Sequence, residues 1–199
     1  MIRNHLRPAI LVTVVLCLIT GVAYPALVTG LAQLLFPRQA NGSLVMLNGR
    51  IVGSALIAQA FTRPEYFHPR PSSAGAGYDP TASAGSNKGP TDLKLADTLI
   101  AQSVAQVRRE DGVQGPLPSD MVTRSGSGLD PHISPANAAL QIARVAKARR
   151  ADEASVQRLV ARHTEGRQFG FFGDPRVNVL MLNLDLDATL PPRGTNAAR

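Results

Sequence analysis

The densest run of chemically capable residues is Ser125-Gly126-Ser127-Gly128-Leu129-Asp130-Pro131-His132-Ile133-Ser134-Pro135, where serine, aspartate and histidine fall within eight positions. Those residue types invite a hydrolase reading, with Ser127 as nucleophile and His132 as base. A nucleophile elbow needs glycine two residues either side of the serine. Around Ser127 those positions hold Ser125 and Leu129, so the pattern fails. Asp130 and His132 are also too close in sequence to take triad roles without help from the fold. A structural reading fits better: the glycines allow a tight loop, Asp130 makes an Asx turn ahead of Pro131, and Ser134 caps a helix.

Other motifs fail on spacing. Gly85-Ser86-Asn87-Lys88-Gly89-Pro90 is glycine-flanked and holds a lysine, but lacks the Gly-Lys-Ser/Thr ending of a phosphate-binding loop. The glycine pairs 75/77 and 126/128 are followed by Pro80 and Pro131 where a dinucleotide fingerprint needs glycine. His68, His132 and His163 share no helical spacing, so no metal set is expected. Asp185 and Asp187 would lie on one face of a strand, where a solvated edge is the simpler reading than paired carboxylates.

The elements that must position these residues can be read from periodicity and turn chemistry. Ser43–Leu47, Asn48-Gly49 and Arg50–Ser54 predict a β-hairpin, because Asn-Gly supplies both positive φ angles of a type I′ turn. Leu56–Phe61 reads as a short helical piece ahead of Pro64. Residues 63–90 are rich in Pro, Gly, Ser and Asn without apolar periodicity, which predicts a long loop of the functional or the disordered kind. A helix is expected from Thr91 or Asp92 to Arg109, with Leu93, Ala96, Ile100, Val104 and Val107 on one face. Ser134-Pro135 predicts the start of a second helix, with Ala138, Ile142 and Val145 inward. Asp152 or Ala154 begins a third, closed by Gly166. Val177–Asp187 alternates leucine with polar residues and reads as a half-buried strand. The expected class is α+β: one N-terminal transmembrane helix followed by a small extracytoplasmic α+β domain.

Ala9 to Phe36 is a run of 28 residues without a charge, holding seven Leu, five Val, two Ile and one Phe. At about −0.3 to −0.6 kcal/mol each, those fifteen contribute roughly −5 to −9 kcal/mol towards insertion. A signal peptide's apolar core is shorter, about 7–15 residues, so an uncleaved anchor is favoured over removal after Gly21-Val22-Ala23. Residues 1–36 therefore form an anchoring segment with a span at about 10–34, and residues 37–199 the extracytoplasmic domain. Pro25 would kink the span unless a neighbour satisfies the freed carbonyl. Ala26 and Gly30 are spaced for seating a partner helix. Arg3 and Arg7 before the span, against Arg38 and Arg50 after it, favour a cytoplasmic N-terminus and a periplasmic bulk.

Composition narrows the classes further. One cysteine in 199 residues excludes a cysteine-based metal cluster and an intramolecular disulfide. Cys17 falls within the span. With Arg3 and Arg7 in the leading segment, residues 37–199 carry 19 Lys and Arg against 14 Asp and Glu, a net of +5. That charge is dispersed and aromatics are few, so no nucleic-acid partner is expected. Arg144, Lys147, Arg149 and Arg150 cluster on one predicted helix and read as a solvated face near its C-terminus.

Taken in order, several blocks carry a resemblance. They are Gly53-Ser54-Ala55-Leu56-Ile57-Ala58-Gln59-Ala60-Phe61, Tyr66-Phe67 with Arg70-Pro71-Ser72, and Ser83 through Pro90. Ser125 through Pro135, His163-Thr164-Glu165 and Pro175 through Leu180 leading to Leu182-Asn183-Leu184 complete the set. With the N-terminal span, they make the chain resemble the C subunit (KdpC-type) of the bacterial high-affinity potassium-transporting Kdp P-type ATPase, over nearly its whole length. Lys88 and Phe171-Phe172 depart from the pattern locally.

The resemblance implies an accessory subunit of the bacterial inner membrane. Its partners would be a potassium-channel-like subunit, a P-type ATPase subunit and a small single-span peptide, with membrane lipid around its span. It implies no catalysis by this chain and no cofactor of its own, ATP and K+ being handled by the complex. The implied role is that of a chaperone raising the ATPase subunit's affinity for ATP; capping of the potassium entrance is the alternative that suits an outward-facing domain. Interaction loops would be Arg70, Pro71, Ser72 with Gly85, Ser86, Asn87, Gly89 and Pro90, and Ser125, Gly126, Ser127, Gly128, Asp130, Pro131 and His132. In the membrane, Pro25, Ala26 and Gly30 would pack against partner helices. On this view Ser72–Ser83 is a docking segment whose deletion leaves the domain folded. The competing class is a membrane-anchored periplasmic hydrolase.

Overall fold

Where the sequence runs longest without charge, the computed structural model has one continuous apolar helix. The structure describes residues 2–192, so the last seven residues of the expected 37–199 domain lie outside the described residues. The helix is built from α1 (Ile2–Leu18), a π-helical turn (Ile19–Ala23) and α2 (Tyr24–Leu35). Residues His5–Leu35 are long and apolar enough to cross a membrane. Pro25 does not break the helix. The turn preceding it widens to the π pattern, with the Tyr24 N–H donating to Ile19 O, which accommodates the N–H that proline lacks.

Contacts divide the chain into two units, Met1–Val52 and Gly53–Arg199. In the first, the helix ends at Phe36, a short turn α3 (Pro37–Ala40) follows, and β1 (Leu44–Leu47) pairs with β2 (Arg50–Ser54). Asn48 and Gly49 take φ of +50° and +77°, the type I′ turn that Asn-Gly predicts.

In the second unit residues 55–92 carry no helix or strand; Leu56–Phe61 is therefore not the helical piece expected. A π-helical stretch (Lys94–Ile100) then runs into α4 (Ala101–Asp111), and a short α5 (Ser119–Val122) precedes β3 (His132–Ile133). Helix α6 (Pro135–Arg149) starts as predicted, with Ser134 accepting the Asn137 N–H at 3.1 Å and Pro135 in the first turn. Asp152 caps α7 (Glu153–Arg162), which stops at His163, ahead of Gly166. Strands β4 (Thr164–Glu165) and β5 (Arg176–Asn178) follow, and β5 is central in an antiparallel sheet of order β3-β5-β4. The register sets His132 opposite Asn178 and Thr164 opposite Val177.

The expected strand Val177–Asp187 is mostly helix. After three strand residues, Asn178 turns the chain into α8 (Val179–Thr189), its Oδ1 accepting the Met181 N–H at 3.1 Å. Five residues of α8 are buried, Leu180 and four more, Val179, Leu182, Asn183 and Leu186, that keep the i, i+3, i+4, i+7 spacing of a helix face. Val179, Leu182 and Leu186 join Phe67, Ile133, Val145, Val156 and Val177 in the main core, where α6, α7 and α8 meet the sheet. A smaller cluster of Val107, Met121 and Val122 lies between α4 and α5.

Candidate docking platform

The segment from Arg63 to Pro90 is a strap held by side chains of α6 and α8. Phe67 is fully buried, and Asn183 holds its backbone on both sides: the Phe67 N–H donates to Asn183 Oδ1 and the Asn183 amide donates to Phe67 O, each at 2.9 Å. Gln141 repeats the arrangement one residue on, accepting the His68 N–H (2.8 Å) and donating to His68 O (3.1 Å). Two amide side chains thus do for the strap what a neighbouring strand does in a sheet.

Two buried arginines complete the hold. Arg144 pairs with Asp111 (2.6 Å) and donates to the carbonyls of Pro64 and Tyr66. Arg149, its side chain fully buried, donates to Glu65 O and Leu190 O and pairs with Asp187 at 2.8 Å, its guanidinium 5.1 Å from the Tyr66 ring centre. The predicted solvated basic face is therefore half wrong: Lys147 and Arg150 are exposed, but Arg144 and Arg149 point inward, because carbonyls of the strap need donors. Asp185 and Asp187 are likewise not partners. On a helix they diverge, Asp185 pairing with His163 (2.8 Å) and Asp187 with Arg149 and the Tyr66 hydroxyl.

Beyond His68 the strap meets the glycine-serine loop. Arg70 pairs with Asp130 at 3.2 Å and donates to Arg124 O at 3.3 Å. The Ser72 hydroxyl donates to Gly128 O (2.6 Å) and accepts the N–H groups of Ala74 and Tyr78. The Tyr78 hydroxyl donates to Arg70 O, and its burial pushes its pKa up to about 12 against the opposing pull of Arg124. The Ala84 N–H and the Ser83 hydroxyl both donate to Ser127 O at 3.0 Å. Glycine is required at two contacts. A Cβ on Gly128, whose φ is +68°, would lie 2.6 Å from Ala84 O, and one on Gly85 would lie 2.9 Å from Gly126 O.

Most of the residues singled out from the sequence therefore converge. Arg70, Ser72 and Gly85 close on Ser127, Gly128 and Asp130, while Ser125 is buried beneath them. Pro71 lines a cleft of about 340 Å³ beside this junction, shared with His68, Tyr78, Gln106, Glu110 and Arg124. Pro131 and His132 face the sheet instead: Pro131 O accepts the Val179 N–H, and His132 pairs in β3. Asn87, Gly89 and Pro90 stay exposed at the approach to the π-helical stretch, where Lys88 pairs with Asp92 at 3.0 Å. Ser86 is half-buried and takes no part in the junction. Ala26 and Gly30 are exposed, and among the described residues nothing beyond the helix's own neighbouring backbone lies within 4 Å of a Cβ placed on Gly30.

The junction also bears on catalysis. Ser127 Oγ accepts the Leu129 N–H at 3.1 Å, an ST turn, and no imidazole is bonded to it among the described residues. Asp130 makes the expected Asx turn, accepting the His132 N–H at 3.0 Å. Burial works to raise the Asp130 carboxyl, but bonds from His132 and Arg70 outweigh it and hold the group below its ordinary value. It is thus an ionised structural tie and not a base poised near neutrality. For the same reason Ser72–Ser83 is no expendable appendage, since Ser72, Ala74 and Tyr78 are part of the packing.

Sequence reasoning missed Gln141, Asn183 and Asp120. The last accepts from Ser134 N, Ser134 Oγ and Asn137 Nδ2 at 2.8–3.0 Å, fixing the start of α6. A polar residue on an apolar helical stripe, as Asn183 is, was the only readable signal.

The family model described as KdpC, the c chain of K+-transporting ATPases, matches residues 6–188. A potassium-transporting ATPase KdpC subunit of Gemmatimonas aurantiaca is 64% identical over 186 residues, 93% of each chain. Those of Koribacter versatilis and Rhodospirillum rubrum are 53% identical over 189 residues and 56% identical over 186, covering 95% and 94% of this chain and 97% and 96% of theirs.

Proposed function

The chain belongs to the KdpC family of K+-transporting ATPase c chains, and from that premise we propose that it is the accessory subunit of an ATP-driven potassium-uptake complex. Its partners are the channel-like subunit that passes K+, the P-type ATPase subunit that uses ATP, and a small single-span peptide. The apolar helix anchors it in the bacterial inner membrane with the N-terminus inside, leaving residues 37–199 in the periplasm. There the domain caps the potassium entrance and stabilises assembly. Any gain in ATP affinity reaches the cytoplasmic ATPase subunit through helices in the membrane, because the domain lies on the opposite side from ATP.

The observation that supports this reading is how the two motif loops use their residues. Arg70, Ser72, Ser83 and Asp130 are taken up in holding the loops to one another, and the outward crest is Gly75–Gly77, Ser83 and Gly126–Ser127, small and exposed. A pre-ordered surface of this kind loses little entropy on docking. The hydrolase alternative needs Ser127 on a base, whereas its hydroxyl is tied to the Leu129 N–H and bonds no imidazole among the described residues.

The test is co-purification of the tagged full chain in mild detergent from potassium-limited cells. Stoichiometric recovery of a channel-like subunit and a P-type ATPase is expected. Gly126→Trp, at an exposed position where an added Cβ meets no other described residue within 4 Å, is expected to keep the fold and lose the partners. Recovery of the chain alone while those partners are expressed, or ester turnover abolished by Ser127→Ala, would overturn the proposal.

A further inference from the structure

The hairpin that follows the membrane helix carries an exposed apolar face. Strand alternation puts Leu44 and Met46 on one face, and the two-residue turn sets Ile51 across from Met46. These three are 46%, 57% and 60% exposed. An isolated two-stranded hairpin is marginal in water, so this face needs something to cover it.

Where the hairpin begins is fixed by the helix before it. At about 1.5 Å per residue, the 31 residues His5–Leu35 reach roughly 46 Å. That matches the roughly 40–45 Å of a bilayer including its headgroups. Leu35 therefore ends in the headgroup layer, and the chain does not continue outward as helix. It breaks at Phe36 (φ −138°, ψ 54°) and folds back through α3. The Asn41 amide donates to Gln33 Oε1 (3.0 Å) and to Pro37 O (2.6 Å), and the Ser43 N–H donates to Arg38 O (3.0 Å). These bonds tie the root of the hairpin to the last turns of the span.

Charge points to the same surface. Residues 1–52 contain no Asp or Glu, and the charged side chains beyond the span in this unit are Arg38 and Arg50, both exposed. By the same alternation Arg50 lies on the other face of the hairpin, and an apolar face backed by cations is the composition of a segment lying at an anionic lipid surface. We propose that the 44–51 hairpin lies in the interface of the bilayer its own helix spans. Leu44, Met46 and Ile51 sit at the boundary of headgroups and acyl chains, and Arg38 and Arg50 sit among phosphates. The hairpin is thus a foot that limits tilt and sliding of the span.

The test uses the full chain with Cys17→Ser, reconstituted with its co-purifying subunits into phosphatidylcholine–phosphatidylglycerol vesicles. An environment-sensitive dye is attached through Met46→Cys, or separately Ile51→Cys. Val28→Cys marks the span and Lys147→Cys the exposed face of α6. The expected result is blue-shifted emission at 46 and 51 that loses most of its intensity when the lipid carries a quencher near its carbonyls. Lys147→Cys should be indifferent to that lipid. A blue-shifted but unquenched signal would place the face against another subunit and overturn the proposal, as would water-like emission. Absence of quenching at Val28→Cys as well would overturn the anchor with it, separating the two failures.

Discussion

Asn183 and Phe67 are 116 residues apart in sequence, and the side chain of one completes both backbone hydrogen bonds of the other. Phe67 is the largest fully buried side chain of the domain, so its own N–H and carbonyl have no access to water. Asn183→Leu leaves both groups orphaned, at about 1–3 kcal/mol each. A lower urea midpoint for loss of helix signal is expected, with Asn183→Asp intermediate because it keeps the acceptor. An unchanged midpoint would show that the strap is not part of the cooperative fold.

Two glycines of one loop should behave oppositely. Gly128→Ala forces a Cβ onto Ala84 O and Ala74 N at positive φ, whereas a Cβ on Gly126 meets nothing within 4 Å. The first should cost more than about 2 kcal/mol and the second stay within about 0.5 kcal/mol. Thermal melting of the two full-length variants checks the contrast.

Arg144 and Asp111 should couple strongly. Both side chains are almost fully buried, 6% and 4% exposed. Removing one partner, as in Arg144→Met or Asp111→Leu, should cost about 3–5 kcal/mol, since the other charge stays buried and unpaired. The double variant should be well above the sum of the singles in stability, though short of wild type because Pro64 and Tyr66 carbonyls lose their donor. Strict additivity in denaturant unfolding would contradict the pairing.

A pH dependence follows from His68. Burial, and then the neighbouring Arg144, push its pKa below the ordinary 6.5, with Glu110 and Asp111 pulling the other way. The unfolded chain therefore takes up the proton first as pH falls. Stability attributable to the neutral ring is full above about 6.5 and declines below it until the folded value is passed. Melting temperature should drop on acidification through this window, and His68→Gln should flatten that slope. An equally steep slope in the variant would assign it to other groups.

Local chemistry was legible in the sequence and long-range chemistry was not. Asn48-Gly49, Ser134-Pro135 and Asp152 each declare a turn or cap through their own neighbours, and each is where it was expected. The leucine alternation 180, 182, 184, 186 misled because Val179–Leu182 is apolar without a break and Leu182 and Leu186 are also four apart, so periods of two and of 3.6 both fit. Asn178, a side chain suited to capping, was the sign of a helix. The Asx turn at Asp130 was readable, but its pairing with Arg70 crosses 60 residues of chain. The inward turn of Arg144 and Arg149 was hidden for the same reason: their partners are backbone carbonyls about 80 residues earlier.

The route of the strap also sets a schedule for synthesis. Its anchors, Gln141, Arg144, Arg149 and Asn183, all emerge after it, the last of them within the final helix. At roughly 5–20 residues per second, the 116 residues between Phe67 and Asn183 take about 6–23 s to make. During that interval the membrane helix can already be inserted while Phe67 has nowhere to go. The nascent domain is thus tethered before it can fold, and a chain truncated ahead of α8 would display its most buried ring to whatever surveys unfinished proteins.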